Sequence, residues 1–219
     1  MKKKDIQLII FDFDGTLADT YELIIRTNQE AMRQMDYPVR DEETIRGTIG
    51  LPLEAGIRTL FPDLPEEAIP QWCATYRRVF DVYKTQYLPV LFPEVKETLE
   101  WLRDKGFVLT VASSRQSVSL NAFLRDLGIL PCFRYVLGAD NVARAKPDPE
   151  PVLKTLRDLG YRAENTLVVG DMPVDILMGA RAGAGTVGVT YGNSCRADLL
   201  EAGADFVLDH FSELQGLFI

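Results

Sequence analysis

Histidine is nearly missing: His210 is the single one in 219 residues. A Ser-His-Asp hydrolase would depend on it alone, and no G-x-S-x-G elbow accompanies it, so His210 is expected to be a surface or partly packed side chain. The three cysteines, Cys73, Cys132 and Cys195, are an odd number without a C-x-x-C pair. They argue against a disulfide framework and a zinc site, and for reduced thiols that pack. Positive charge is also short, with 24 Lys and Arg against 32 Asp and Glu and a formal net charge of -8. Without clustered cations no broad field draws in nucleic acid or anionic lipid, and neither is expected as a partner. An anionic ligand has to be held locally. Long apolar runs are absent as well. Met1-Lys2-Lys3-Lys4-Asp5 leads into Leu8-Ile9-Ile10-Phe11, far too short for a signal-peptide core or a membrane span, and a cytoplasmic location is the simplest expectation. No internal repeat, low-complexity tract or Walker-type Gly-Lys-Ser/Thr sequence occurs.

What is there is ordinary globular chemistry, 47% hydrophobic and 26% charged, enough chain for one full domain with a large insertion. Short apolar runs recur at Leu8 to Phe11, Phe107 to Ala112, Tyr135 to Leu137, Thr166 to Val169 and Val187 to Val189. Near-continuous runs of this kind suit strands buried on both faces. Between them Pro93 to Lys105, Gln116 to Leu127, Pro149 to Leu159 and Pro173 to Ala182 have helical spacing, several with Pro near the start and Gly just past the end. The alternation predicts an α/β fold, a Rossmann-like parallel sheet with helices on both faces. One stretch breaks the rhythm. From about residue 18 to 89 there is no convincing buried strand, only helix-like patterns at Glu22 to Met35, Glu54 to Leu60 and Glu66 to Tyr83. A helical insertion after the first strand is expected to form a cap over that strand's end, on a core of residues 1–17 and 90–219.

In an open parallel sheet the ligand crevice lies beyond the carboxyl ends of the strands. Asp12, Ser113 and Asp171 stand at three such ends, and Lys146, in Arg144-Ala145-Lys146-Pro147-Asp148, follows the third strand region and precedes a helix. The strongest local signal is Asp12-Phe13-Asp14-Gly15-Thr16-Leu17. Two carboxylates alternate on a chain leaving a strand, and Gly15 permits the turn that returns Asp14 to the same space. A calcium loop fails on spacing, since it would want Gly where Leu17 stands and Glu where Leu23 stands.

Asp12-Phe13-Asp14-Gly15-Thr16, Ser113, Lys146-Pro147 and Gly170-Asp171-Met172-Pro173-Val174-Asp175 resemble, in order, the four motifs of the haloacid dehalogenase superfamily, across nearly the whole chain. The insertion resembles that superfamily's helical cap, as in phosphoglycolate phosphatase and beta-phosphoglucomutase relatives. Met172 departs from the pattern, where relatives often carry a small hydroxyl residue. The resemblance implies a phosphatase that works through an aspartyl phosphate. Asp12 is then the nucleophile, and Asp14 the acid that protonates the leaving oxygen and later takes a proton from water. Mg²⁺ is implied as cofactor, held by Asp12, Asp171 and the Asp14 backbone carbonyl, with Asp175 supporting its waters. Ser113 and Ser114 are expected to donate to phosphoryl oxygens and Lys146 to stabilise their charge. Dehalogenases need no acid two residues beyond the nucleophile, and phosphonate-cleaving relatives carry a small residue there with a cap-borne lysine. Asp14 therefore favours breaking a P–O bond.

Within the cap, Thr48-Ile49-Gly50-Leu51 follows Gly47, and its small residues permit close approach to the core. Related caps use this region to select substrates. Arg46, Arg58, Arg77, Arg78 and Lys84 could meet a substrate carboxylate or second phosphate, or simply be solvated. Gly183-Ala184-Gly185-Thr186-Val187-Gly188 matches the dinucleotide-binding fingerprint, yet it follows a helix and opens a strand, the reverse of what that fingerprint needs. The expectation is a phosphoglycolate phosphatase-like monoesterase acting on a small organic phosphate, as monomer or homodimer. Inorganic pyrophosphatase, sugar-phosphate mutase, a non-catalytic phosphate-binding protein of the same fold and, on the glycine match alone, a nicotinamide-dependent oxidoreductase are the alternatives.

Overall fold

A computed structural model describes residues 6–219, so that Met1–Asp5 lies outside the described residues. Strands β1 (Leu8–Phe11), β4 (Val108–Ala112), β5 (Tyr135–Leu137), β6 (Thr166–Gly170), β7 (Gly185–Val189) and β8 (Phe206–Leu208) form one six-stranded sheet in the order β5-β4-β1-β6-β7-β8. Every pairing in it is parallel. The remaining strands, β2 (Ala18–Asp19) and β3 (Val90–Leu91), pair antiparallel as a two-stranded ribbon.

The central strand shows why the apolar runs are continuous. Side chains alternate between faces of a strand. Ile9 and Phe11 join one buried cluster with Val111, Leu167 and Val169, while Leu8 and Ile10 join another with Ala112, Val152 and Val168. All four β1 side chains are buried, each contributing about 1.5–3 kcal/mol relative to exposure. The layers on the two faces come from α5 (Val95–Asp104) and α6 (Ser117–Asp126) on the first and α7 (Glu150–Leu159) and α8 (Pro173–Arg181) on the second. Pro173 begins α8 at a position whose N–H has no helical partner, and Gly160 ends α7 at φ +76°, the left-handed conformation glycine adopts without strain. A last short helix, α9 (Arg196–Glu201), packs Leu199 over Gly188 of β7.

Between β1 and β4 the chain runs through α1 (Tyr21–Gln34), α2 (Glu42–Arg46), α3 (Leu53–Leu60) and α4 (Ile69–Tyr83). These helices bury a cluster of their own, with Ile25, Met32, Ile45, Ile57, Leu60 and Trp72 and with Tyr37, Phe61 and Trp72 in mutual ring contact. The β2–β3 ribbon pairs the chain where it leaves for these helices with the chain where it returns. The sequence pattern missed this ribbon because two-residue strands carry no periodicity.

The connection after β1 runs to β4 on one side, and the connection after β6 runs to β7 on the other. The strand order therefore reverses between β1 and β6, where an open α/β sheet has its crevice. Phe11 is level with Val111 and with Val169, so Asp12, Ser113 and Asp171 emerge together on that rim. Among the described residues no helix is long and apolar enough to cross a membrane.

Candidate active site

Asp12 leaves β1 with its N–H donated to Val169 O at 2.9 Å, which keeps it in sheet register one residue past the strand. Its carboxylate is buried between elements that are far apart in sequence. Lys146 Nζ donates to Asp12 Oδ1 at 2.6 Å and to Asp175 Oδ1 at 2.6 Å, and all three side chains are almost fully enclosed. Removing one partner from such a buried pair costs about 3–5 kcal/mol, so Lys146 holds the site together as well as charging it. Opposing attractions act on it: burial pulls the Lys146 ammonium down, and Asp12 and Asp175 more than compensate, leaving it above the usual lysine range.

Asp171 projects from the end of β6. Its Oδ1 accepts from Thr16 Oγ1 at 2.9 Å, and its Oδ2 accepts from Asn193 N and Nδ2, both at 2.8 Å. Asp175, in the first turn of α8, accepts the Met172 N–H on Oδ2 at 3.1 Å. One oxygen from each of Asp12, Asp171 and Asp175 falls within 4.8 Å of the others. Asp12 and Asp171 are both pushed upward. Asp12 is raised well above the carboxylate range by burial, with Lys146 opposing and Asp175 and Asp171 adding; Asp171 is pushed up to about 7 by burial and by Asp175. Asp12 Oδ2 is buried without a hydrogen-bond partner. Three crowded carboxylates with one orphaned oxygen form a hard, all-oxygen donor set that fits a divalent cation.

Gly15 is what lets the loop pass so close. It lies at φ +88°, and a Cβ there would collide with the Asp171 carboxylate and the Asn193 amide. Both reasons require glycine.

The second carboxylate of the motif lines the same cavity with partners of its own. Asp14 Oδ1 accepts from Thr20 Oγ1 at 2.7 Å, and Asp14 pairs through both oxygens with the Arg115 guanidinium, at 3.1 Å for Nε to Oδ2. Neither Thr20 nor Arg115 was marked by the sequence pattern. Ser113 is buried at the end of β4, where its N–H donates to Leu137 O at 3.0 Å and its Oγ accepts from Arg115 N at 3.2 Å. Ser114 donates its hydroxyl to Gly50 O at 2.7 Å.

Above the rim lies a cavity of about 600 Å³ whose lining includes Asp12, Asp14, Ser113, Ser114 and Arg115 from the sheet side and Thr48, Ile49, Gly50 and Leu51 from the turn between α2 and α3. The structure thus brings the predicted turn to the predicted carboxylates. Gly50 lies at φ +90°, and a Cβ there would come to 3.1 Å from Met172 Cγ. Of the five cations named in the sequence, Arg58, Arg77 and Lys84 line the cavity. Arg46 instead donates to Gly192 O at 2.5 Å and Arg78 to Gln34. His210 is exposed, Cys73 and Cys132 are buried, and Cys195 is exposed. Gly183 to Gly188 follows α8 and enters β7, so it opens no helix and offers no dinucleotide site.

A family model for haloacid dehalogenase-like hydrolases matches residues 9–189. The chain belongs to that family. It is 39% identical to "Probable phosphatase IndB" of Dickeya dadantii, over 95% of this chain and 92% of the relative. It is 33% identical to a phosphoglycolate phosphatase of Vibrio parahaemolyticus, over 98% and 96%, and 34% identical to pyrophosphatase PpaX of Anoxybacillus flavithermus, over 96% and 95%. Among solved structures, a haloacid dehalogenase-like hydrolase from Bacteroides fragilis superposes with a TM-score of 0.91 at 27% identity, covering 95% of this chain and 99% of that one.

Proposed function

We propose that the protein is a Mg²⁺-dependent phosphatase of small organic phosphate monoesters that works through an aspartyl phosphate on Asp12. The observation that carries this reading is the Asp12 carboxylate itself, buried at the crevice of the sheet, gripped by Lys146 through Oδ1 and free at Oδ2. An Asp12 carboxylate oxygen attacks phosphorus, the P–O bond to the leaving group breaks, and its electron pair departs on the leaving group's oxygen. Asp14, in its carboxylic-acid form, supplies the proton to the departing oxygen, and as the carboxylate that this leaves it takes one from the water that attacks the phosphoryl group. Lys146 and the Ser113 hydroxyl stabilise charge on the phosphoryl oxygens, while the Ser114 hydroxyl reaches them only by leaving Gly50.

Asp12 and Asp171 would hold the Mg²⁺, joined by the Asp14 backbone carbonyl, and Asp175 stands close enough to support its waters. When bound, the ion neutralises charge between the nucleophile and the phosphate. Phosphate release from phosphoglycolate, sugar phosphates, nucleotides and pyrophosphate is expected with Mg²⁺ present and to fall to background on chelation. Turnover that survives chelation would contradict the metal assignment.

Residues 18–89 act in this reading as a cap on a core of 1–17 and 90–219, closing over the rim and excluding water. The phosphoglycolate phosphatase-like assignment rests on that helical insertion and the Gly170-Asp171 to Asp175 spacing. The pyrophosphatase relative, of equal similarity, makes pyrophosphate the main rival substrate. Selection is assigned to Thr48–Leu51. Gly50→Val is expected to reorder kcat/KM across the substrate panel, because a branched side chain at φ +90° next to Met172 alters the space beside the leaving group. Mg²⁺ affinity should hold, since its ligands belong to the sheet. A lowered melting temperature with an unchanged substrate order would show that the turn only ends a helix.

A further inference from the structure

Arg115 is a buried cation for which the chemistry above has no use. It follows β4 and Ser113-Ser114, and its side chain is 8% exposed. Nε and Nη2 both donate to the Asp14 carboxylate, and Nη1 donates to Ser119 Oγ at 3.2 Å. The guanidinium carbon lies 4.8 Å from the ring centre of Phe123, 5.1 Å from Phe80 and 5.8 Å from Phe13. Those rings come from α6, α4 and the β1 loop, so the fork is fixed by three separate parts of the fold. A desolvated cation against aromatic faces gains about 2 kcal/mol or more, and a planar fork seated in this way has little freedom left.

Asp14 needs such an anchor. Its backbone sits in the turn ahead of Gly15, and its carboxylate can rotate about two side-chain bonds. Thr20 holds Oδ1 alone. The fork reaches both oxygens and so fixes the plane of the carboxylate as well as its position, which a point charge cannot do.

We propose that Arg115 is the positioning residue for Asp14, setting the direction in which that carboxylate faces the leaving oxygen. The proposal rests on Asp14 being the acid of the reaction. Misplacement of a reacting group by about 1 Å costs about 10²-fold. Arg115→Gln is therefore expected to lower kcat/KM about 10- to 100-fold for the best alkyl phosphate, leaving it nearly unchanged for 4-nitrophenyl phosphate, whose leaving group needs no proton. Introduced into Asp14→Asn, the same change should cost nothing further on the alkyl ester, because the group it positions is already gone. Arg115→Lys keeps the charge and the aliphatic stem, and should show the same selective loss to a smaller degree; it carries the comparison if Arg115→Gln does not fold. Equal losses in kcat/KM on the two substrates, losses that add to those of Asp14→Asn, or a raised KM with kcat intact would each overturn the assignment. No turnover of any monoester by the unaltered enzyme would remove the underlying reading as well, and is told apart by that.

Discussion

Asp12→Asn is expected to take turnover to the background rate and leave the fold intact. The amide has the shape of the carboxylate and keeps an oxygen for Lys146 Nζ, which now donates to Asp12 Oδ1 at 2.6 Å. It cannot form the acyl phosphate, so the route through two easier displacements is closed. The full cost of breaking a buried pair should not arise, because Asp175 still pairs with Lys146 at 2.6 Å and the charge removed is one that burial and the neighbouring Asp171 and Asp175 already disfavour. Phosphate release and a thermal melt on the purified variant check both halves. Retention of even about a tenth of the activity against the best substrate would be incompatible with a mechanism in which Asp12 is the only nucleophile.

Asp14→Asn should divide substrates by their leaving group. Loss of a general acid costs about 10²- to 10⁴-fold where the departing oxygen needs a proton. In kcat/KM, which reports the steps through transfer to Asp12, alkyl phosphates should lose that factor and activated aryl phosphates much less. In kcat, both should fall, because the same carboxylate takes the proton of the water that releases the phosphoryl group. Equal losses in kcat/KM on the two substrate types would mean that Asp14 serves as a structural group or a metal ligand instead. The Thr20 hydroxyl and the Arg115 fork both bind this carboxylate, so the variant also needs a melting curve to separate lost chemistry from lost packing.

The sheet was legible in the sequence because its strands are buried on both faces. Tyr135–Leu137 is the observed β5, and the runs at Leu8, Phe107, Thr166 and Val187 fall on β1, β4, β6 and β7 to within two residues. Helical spacing likewise located α1, α3, α4, α5, α6, α7 and α8. Five-residue α2 and six-residue α9 escaped, since helices that short complete fewer than two turns, and so did three-residue β8, although β5 is just as short. The same limit governs the site. Asp12, Asp171 and Lys146 were visible because each stands at a strand end or in a motif. Arg115 and Asn193 were not, because what gives them meaning lies 101 residues away at Asp14 and 22 residues away at Asp171. Nor does Ser114 differ from Ser113 in sequence, although one hydroxyl accepts from Arg115 N and the other donates to Gly50 O.

Covalent transfer to Asp12 is tested most directly in the Asp14→Asn variant with an activated aryl phosphate. That substrate loads Asp12 without help from an acid, while the missing base slows release, so the intermediate should accumulate. The expected result is a rapid burst of phenol equal to the enzyme concentration, followed by slow turnover, with one phosphoryl group found by mass spectrometry on the acid-quenched peptide that contains Asp12. Steady turnover without a burst and without phosphate on that peptide, or phosphate on any other residue, would contradict the account.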